Sequence, residues 1–418
     1  LNEGGLPRPG RYRGMLSFDL RRSFGLPEPW AEEAHQSYAF YRLLQHSTEA
    51  LLLYAYSGAD GKVTEKSRFL QQLELEYRST IEDSPRSLPV HLPPALDNSI
   101  SIPKTESIMN LIRQKLSTKA ISPSSLSLYL QCPLRFWFAH IRELRASEEI
   151  DEQLNAGQIG SLLHLTLEIL FENKEGKDLR SEDWEELFHE IPQALDKACN
   201  HKDFKAYSFD QGVNVLVKRM GLQFLQEYFR VENERSKQKP IRLIGQELKF
   251  DQATLEVDGI SIAWRGRLDR LERNAGRYRI VDFKSGSMAS NSQELELEVL
   301  NNALDGEHDK AFQLLCYAWL AHQNPQPRRR NRDNLNEPIA FPLELGIVPL
   351  QQASRGTRLV KVGGHSEIDH AIVQSFEDLL RGIFGEILDP QQPIRQTEDE
   401  KRCKFCDFNR ICRRSTDD

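Results

Sequence analysis

The sequence contains no hydrophobic run long enough to span a membrane. Its longest apolar run, Ala50–Tyr56, is far shorter than the roughly 20 residues that a bilayer-spanning helix needs. The N-terminus starts at Leu1 instead of Met and has neither the charged region nor the apolar region of a secretory signal. We therefore expect no membrane partner, and we interpret the chain as a piece of a longer polypeptide.

Cysteine is also scarce, and an excess of basic residues is absent. Six cysteines in 418 residues are too few and too unevenly spaced for a disulfide scaffold, so the sequence predicts a cytoplasmic protein. The 55 Lys and Arg residues face 62 Asp and Glu residues, which gives a net charge of −7. Any contact with nucleic acid must then come from local basic clusters. Apolar residues make up 39% of the chain, which is enough for a packed core and excludes overall disorder.

The distribution of proline suggests where the domains begin and end. Prolines concentrate between residues 84 and 123, where they favour extended backbone. We therefore predict a linker over residues 84–120, between a segment at 1–83 and a domain at 121–418. The run Ala50–Tyr56 is interpreted as a buried strand of the first segment. Because that segment is small for an independent domain, we expect it to be the C-terminal remnant of a longer one.

The order of periodic patterns after residue 120 predicts an α/β fold. Helical patterns cover residues 124–145, 157–173 and 184–231, and strand patterns follow at 241–250, 253–271 and 277–284. A helix at 307–322, a strand at 340–349 and a helix at 367–388 complete the pattern. The prediction is a mixed β-sheet flanked by helices, with a large helical insertion before the sheet.

One predicted hairpin carries the residues with catalytic chemistry. The turn signal Asn274–Gly276 separates two alternating apolar runs, Gly266–Arg270 and Ile280–Gly286. Asp282 and Lys284 share one face of their strand because side chains alternate along it. A turn near residue 275 would bring Asp269 close to the position opposite Asp282, at a Cβ separation of about 5 Å.

Two adjacent carboxylates repel each other unless a cation lies between them. Mg²⁺ fits such a site because it prefers oxygen ligands and retains several waters, one of which can attack a phosphodiester. Lys284 would orient or deprotonate that water, or neutralise charge on phosphorus. The alternative is a simple ion pair on a solvated strand face.

These motifs resemble the RecB-type branch of the PD-(D/E)xK nuclease superfamily. The chain shares Gly-Arg-Leu-Asp-Arg, Val-Asp-Phe-Lys-Ser-Gly, an upstream helix with His164 and a downstream Gln-x-x-x-Tyr. The resemblance implies a restriction-endonuclease-like core that uses Mg²⁺ or Mn²⁺. The site residues it implies are His164, Asp269 and Asp282 as metal ligands, Lys284 as the catalytic lysine, Gln313 and Tyr317 as groups that shape the site or hold DNA, and Glu247 as a recurrent family acid.

The C-terminal cysteines predict a second metal site. Cys403, Cys406 and Cys412 form a C-x₂-C-x₅-C pattern, and Cys132, in a Cys-Pro pair, is the candidate fourth ligand. The residues alone leave zinc and iron–sulfur open. The same arrangement is similar to that of AddB-type nucleases, which implies a structural [4Fe–4S] cluster, with zinc as the lesser alternative.

The resemblance also implies partners. Leu1–Pro7 and Phe40–Ser47 are similar to late motifs of superfamily 1 helicases, but His46 stands where such helicases carry arginine, which argues against ATP hydrolysis. An inactivated helicase segment joined to a nuclease implies DNA as a partner, together with an AddA-type helicase subunit. The candidate phosphate contacts are Arg328, Arg329, Arg330 and Arg332, although such a loop is equally typical of solvated surface.

The function expected from the sequence is that of a DNA exonuclease. It would depend on Mg²⁺ and act in a RecB/AddB-like subunit during double-strand-break repair. One alternative is a non-catalytic scaffold subunit that binds DNA ends, and another is a stand-alone nuclease for single strands.

Overall fold

The chain folds into two compact units, Leu1–Leu96 and Asp97–Asp418. The computed structural model describes residues 1–8, 18–26, 29–54, 65–77, 99–145, 153–286, 292–329, 334–335, 337–404 and 406–414. Within these ranges no helix has both the length and the apolar character needed to cross a membrane.

Regular secondary structure is concentrated in the second unit. The helices are α1 Phe18–Ser23, α2 Pro29–Gln45, α3 Arg68–Glu76, α4 Glu106–Thr118, α5 Pro123–Gln131, α6 Pro133–Phe136, α7 Ala156–Phe171, α8 Ser181–Cys199, α9 Val213–Gln238, α10 Asp309–Gln323 and α11 His370–Leu388. The strands are β1 Ser101–Ile102, β2 Asp178–Leu179, β3 Ile241–Val257, β4 Ile260–Asn274, β5 Arg277–Lys284, β6 Glu296–Leu297, β7 Leu343–Pro349, β8 Arg358–Leu359, β9 Lys361–Val362, β10 Glu367–Ile368 and β11 Ile394–Arg395. A π-helical turn, Trp137–Ile141, continues α6.

Two helices of the first unit meet at an aromatic contact. Phe40 of α2 stacks on Phe69 of α3 at a centroid distance of 5.1 Å. The buried strand predicted at Ala50–Tyr56 is wrong over its described part, since residues 51–54 form no strand and Leu51 is 85% exposed. Residues 55 and 56 of that prediction lie outside the described residues. An apolar run becomes a strand only where another strand pairs with it, and the described part of this unit offers none.

The second half of the predicted linker is structured instead. Residues 84–98 lie outside the described ranges, but α4 buries Met109, Ile112 and Leu116 in the core of the second unit. The linker prediction is therefore wrong over this helix. The cause is visible in the sequence, because no proline lies between Pro103 and Pro123 and the apolar positions there follow a helical period.

The centre of the second unit is a mixed β-sheet with the strand order β10-β7-β5-β4-β3-β2, and β8 also pairs with β7. Strands β3, β4 and β5 form an antiparallel meander, whereas β5 and β7 run parallel. Helices α4, α5, α10 and α11 pack on one face. Helices α7, α8 and α9 pack around the other. The predicted α/β fold with a mixed sheet between helices is confirmed.

Two glycines allow helices to approach the sheet closely. A Cβ atom at Gly266 of β4 would lie 2.5 Å from Leu320 Cδ1 of α10. A Cβ atom at Gly160 of α7 would lie 2.9 Å from Ser285 Oγ, just beyond β5. At both positions a Cβ atom would require the neighbouring side chain to shift, so glycine allows the close approach of α10 to β4 and of α7 to the residue after β5.

A buried ionic network lies on the sheet face toward α9. Arg270 is 1% exposed and lies between the rings of Phe171 and Trp184, at 5.3 and 5.4 Å from their centroids. Its guanidinium contacts Glu272 at 2.6 Å and Glu232 at 3.3 Å. The members that complete the network are Tyr228, Arg235, Arg279 and Glu344. Buried charges of this kind are stable only while each is compensated.

Candidate active site

The hairpin predicted near residue 275 forms. Ala275 and Gly276 turn the chain with φ angles of +56° and +85°, and pairing runs from Asn274↔Arg277 to Arg270↔Val281. Continuing the same register by one residue pair places Asp269 beside Asp282. Asp282 points toward α10, because Val281 and Phe283, which alternate with it, pack on the opposite face.

A chain of polar contacts links Asp282 to α10. Lys284 Nζ lies 2.9 Å from Asp282 Oδ2 and donates to Gln313 Oε1 at 3.0 Å. Gln313 Nε2 in turn donates to Tyr317 Oη at 3.1 Å and lies 3.4 Å from Asp282 Oδ1. Asp282 Oδ2 is buried, and the Lys284 ammonium compensates its charge.

His164 reaches the same place from the opposite layer. Helix α7 begins at a reciprocal cap in which Asn155 and Gln158 each accept the other's backbone N–H at 2.9 Å. Further along the helix, His164 Nε2 lies 3.0 Å from the carbonyl oxygen of Phe283, and Nδ1 lies 3.5 Å from Asp269 Oδ1. If Nε2–H donates to that carbonyl, the lone pair of Nδ1 faces Asp269. The other oxygen of Asp269 accepts the N–H of Phe283 at 2.8 Å.

A distortion in β3 brings Glu247 into the site. Gln246 pairs with Arg270 and Leu248 with Leu268, so Glu247 lies across from Asp269. Its φ of +51° is unusual for a residue with a side chain, and its carboxylate, 5% exposed, contacts the Arg267 guanidinium. Ligand atoms of His164, Glu247 and Asp269 all lie within 4.8 Å of one another. Strain of this kind concentrates at functional sites.

The residues implied as ligands were His164, Asp269 and Asp282, and the structure groups them somewhat differently. Glu247 joins His164 and Asp269 within 4.8 Å, while Asp282 lies beside this group with its carboxylate toward Lys284. The structure also adds Asp309, one helical turn before Gln313 on α10, whose charge acts on Lys284. Its i, i+4 spacing from Gln313 was the available sequence signal.

The electrostatics of the site favour a bound cation. Burial, together with the charge of Asp269, raises the pKa of Asp282 to about 6. Burial opposes ionisation of Asp269 as well, but His164 and the Phe283 N–H hold its pKa below the ordinary value. Burial acts against the charged form of His164, yet the nearby Asp269 and Asp282 raise its pKa. Two buried carboxylates that disfavour each other's charge would both be stabilised by a divalent ion.

The arginines predicted to contact DNA are partly engaged within the protein. Arg328 forms an ion pair with Asp251 at 2.5 Å. Arg329 lies 3.3 Å from Glu175 and 3.4 Å from the carbonyl of Ile244. Arg330 and Arg332 lie outside the described residues. A role for this loop in DNA binding stays a prediction, and Arg329 is the member most occupied by internal contacts.

Four cysteines surround one small cavity. Cys132, between α5 and α6, lines a space of about 20 Å³ together with Cys403, Cys406 and Cys412. No three of these sulfurs lie within 4.8 Å of one another. Burial, followed by the neighbouring thiols, raises the pKa of Cys412 to about 11. The donor set therefore fits a thiolate-bound group, because a positive centre would offset the cost of ionising adjacent buried thiols.

A mixed sheet brings buried acids, a lysine and a histidine together at the end of the central hairpin, and these residue types are typical of nuclease sites. The chain belongs to the PD-(D/E)XK nuclease superfamily, whose family model matches residues 120–413.

Curated relatives share one name, which describes the B-type subunit of an ATP-dependent helicase/deoxyribonuclease. The protein of that name from Carboxydothermus hydrogenoformans is 26% identical over 225 residues, which are 51% of this chain and 19% of that protein. The one from Staphylococcus haemolyticus is 23% identical over 224 residues, which are 50% of this chain and 18% of that protein. The chain thus spans about a fifth of the length of these relatives.

Proposed function

We propose that this chain is a metal-dependent deoxyribonuclease that hydrolyses phosphodiester bonds with Mg²⁺ or Mn²⁺, acting as an exonuclease at DNA ends. The observation that carries the proposal is the convergence of His164, Glu247, Asp269 and Asp282 at one end of the hairpin. The raised pKa of the buried Asp282 carboxyl supports it, since a hard divalent cation would stabilise the charged form of this group beside Asp269.

Each residue has a proposed role at this site. His164, Asp269 and Asp282 would hold the cation, with Glu247 as a further ligand or as the acid that orients them. The bound ion would supply an activated water and polarise the scissile phosphate. Lys284 would donate a hydrogen bond to the phosphate as negative charge develops there. Gln313 and Tyr317 are positioning residues, because Gln313 accepts from Lys284 and donates to Tyr317.

The test is a cleavage assay on end-labelled DNA. We expect cleavage with Mg²⁺ or Mn²⁺ and none after chelation, with activity returning when the ion is restored. Release of short products from labelled ends, with closed circular DNA left intact, would support exonuclease action. Cleavage that continues in excess chelator would contradict the proposal. Binding of DNA without cleavage under all metal conditions would instead favour a non-catalytic scaffold that binds ends.

The relatives' name suggests the wider context. We propose that the chain is the nuclease-bearing part of a helicase–nuclease subunit that processes DNA ends during double-strand-break repair. Its partner would be a helicase subunit of the AddA type that supplies ATP hydrolysis. Residues 1–83 would be the remnant of an inactivated helicase-like domain. Co-purification of the full-length protein with such a subunit, and DNA unwinding only by the pair, is the expected result.

We also propose that Cys132, Cys403, Cys406 and Cys412 hold a structural [4Fe–4S] cluster. The proposal is supported by the cavity that these four cysteines line together and by the C-x₂-C-x₅-C pattern of three of them, with zinc as the lesser alternative. A cluster would tie residue 132 to the C-terminus, which restrains the unfolded chain.

The cluster makes a specific prediction for protein purified without oxygen. We expect a brown protein with visible absorbance that contains iron and acid-labile sulfide in equal amounts. Cys412→Ser should remove most of the iron and lower the melting temperature. The matched control is Cys199→Ser, because Cys199 lies in a separate cluster of buried residues, and it should retain the iron. A colourless protein that contains zinc would contradict the iron–sulfur assignment.

A further inference from the structure

One cavity of the second unit is lined by none of the residues of the acidic site. It measures about 490 Å³ and is bounded by α5, α6, the π-helical turn and the segment that joins α11 to β11. This volume is typical of pockets that bind small ligands. Helix α5 packs against α10, the helix that carries Gln313 and Tyr317. Nothing in the proposed nuclease mechanism uses this cavity.

The wall of the cavity is aromatic. Tyr129, Phe136 and Trp137 line it, and Trp137 opens the π-helical turn, a distortion found frequently at functional sites. Trp137 is 7% exposed. An aromatic wall fits a flat heterocycle that can stack against it.

The rim of the cavity supplies hydrogen-bonding groups. The side-chain amides of Gln391 and Gln392 line it and bond to no other residue in the described ranges. The Glu386 carboxylate, 3.5 Å from Tyr129 Oη, is an acceptor of the kind that reads amino groups of bases. Carboxamides and a carboxylate provide the donors and acceptors found along the edge of a nucleobase.

The charges of the cavity favour a neutral ligand over a bare phosphate. The ammonium of Lys104 donates to the carbonyls of Glu386, Ile387 and Asp389 at 2.7, 2.8 and 3.0 Å. These bonds cap the end of α11 and use the donors of Lys104. The other charged residues that line the cavity are Arg395 and Glu386, and their charges have opposite signs. A base therefore suits the interior, with its phosphate outside near Arg395.

We propose that this cavity binds an unstacked nucleobase of the DNA strand, and the proposal rests on the proposed function because it concerns the same substrate. Stacking of a base on an aromatic side chain is favourable whatever the base, which suits an enzyme without a recognition sequence. The base would stack against Trp137 and Tyr129 and form hydrogen bonds with the Gln391 and Gln392 amides. The pocket would hold the strand while the acidic site cuts it.

The first test maps contacts on the unaltered protein. A single-stranded oligonucleotide that contains 5-iodouracil is irradiated with the chain in the presence of chelator, and the cross-linked peptide is identified by mass spectrometry. We expect cross-links at Tyr129, Phe136 or Trp137. Cross-links confined to other parts of the protein would overturn the proposal. Because no cleavage is needed, this result is independent of the nuclease assay.

The second test measures affinity in the Lys284→Met background. We expect oligothymidylate to bind more tightly than an abasic strand of equal length and charge. Trp137→Leu and Gln392→Ala should each weaken binding of oligothymidylate, Trp137→Leu by about 5- to 100-fold, without changing binding of the abasic strand. The control is Gln193→Ala, exposed on α8 in the other helical layer, and it should bind as the parent does.

The outcomes of the two proposals are distinguishable. Equal affinity for both strands, or unchanged binding by both cavity variants, would overturn the nucleobase pocket while leaving the nuclease intact. If the wild-type chain shows no metal-dependent cleavage but still binds bases selectively, only the nuclease proposal is overturned. If Trp137→Leu does not fold, Gln392→Ala and the cross-linking result decide, because Gln392 is exposed.

Discussion

Replacing Lys284 by methionine is expected to reduce metal-dependent DNA cleavage by at least about 10³-fold, while DNA binding changes little. Removing one preorganised donor that stabilises developing charge costs about 10²–10³ in rate, and Lys284 also compensates the buried Asp282 carboxylate at 2.9 Å. Methionine keeps the length of the side chain and removes only the charge and the donors. Single-turnover cleavage and fluorescence anisotropy on the same DNA measure the two effects.

The matched control is Lys361→Met. Lys361 forms an ion pair with Glu296 at 3.0 Å, and both side chains are almost half exposed, so its loss should leave both rate and affinity within about twofold. Cleavage at the wild-type rate by Lys284→Met would end the assignment of chemistry to this hairpin. An equal loss of cleavage and binding would show that Lys284 contributes to binding and not to the chemical step.

Replacing Arg270 by methionine is expected to destabilise the second unit by about 3–5 kcal/mol. Arg270 lies inside the network that includes Glu232 and Glu272, and all three side chains are at most 2% exposed. Arg235 and Arg279 still contact these acids, but the network would keep one uncompensated buried negative charge. Unfolding in denaturant, followed by circular dichroism, measures the change in the free energy of unfolding.

The control for this prediction lies on the neighbouring strand. Arg277 of β5 contacts Glu367 at 2.7 Å and is 57% exposed, so Arg277→Met should change the free energy of unfolding by less than about 1 kcal/mol. The double variant Arg270→Met with Glu272→Gln should regain part of the lost stability, because it restores the charge balance. A single variant as stable as wild type would contradict the view that this network depends on Arg270.

The central hairpin could be predicted because its signals are local. The turn at Asn274–Gly276 and the alternation around Asp269 and Asp282 lie within a short stretch of sequence. The strand period of two residues then assigns each side chain to a face. Once the turn is located, the register follows, and the structure pairs Arg270 with Val281 as that register requires.

The position of Glu247 in the site could not be predicted from local sequence signals. Its backbone adopts a φ of +51° between two register shifts in the pairing of β3 with β4, and this pairing joins residues that are distant in the sequence. The internal partners of Arg328 and Arg329, Asp251 and Glu175, are also far away in sequence. The sequence therefore did not show that two arginines of this basic loop form ion pairs within the protein.

The sequence by itself determined the α/β class, the hairpin and the identity of its acids and lysine, because helix and strand periods, turns and side-chain chemistry are properties of neighbouring residues. Only the tertiary structure decided that Glu247 joins His164 and Asp269, that α4 belongs to the core and that an aromatic cavity lies beside α11. These features depend on contacts between distant segments, whose geometry is fixed only when the sheet and its helices pack together.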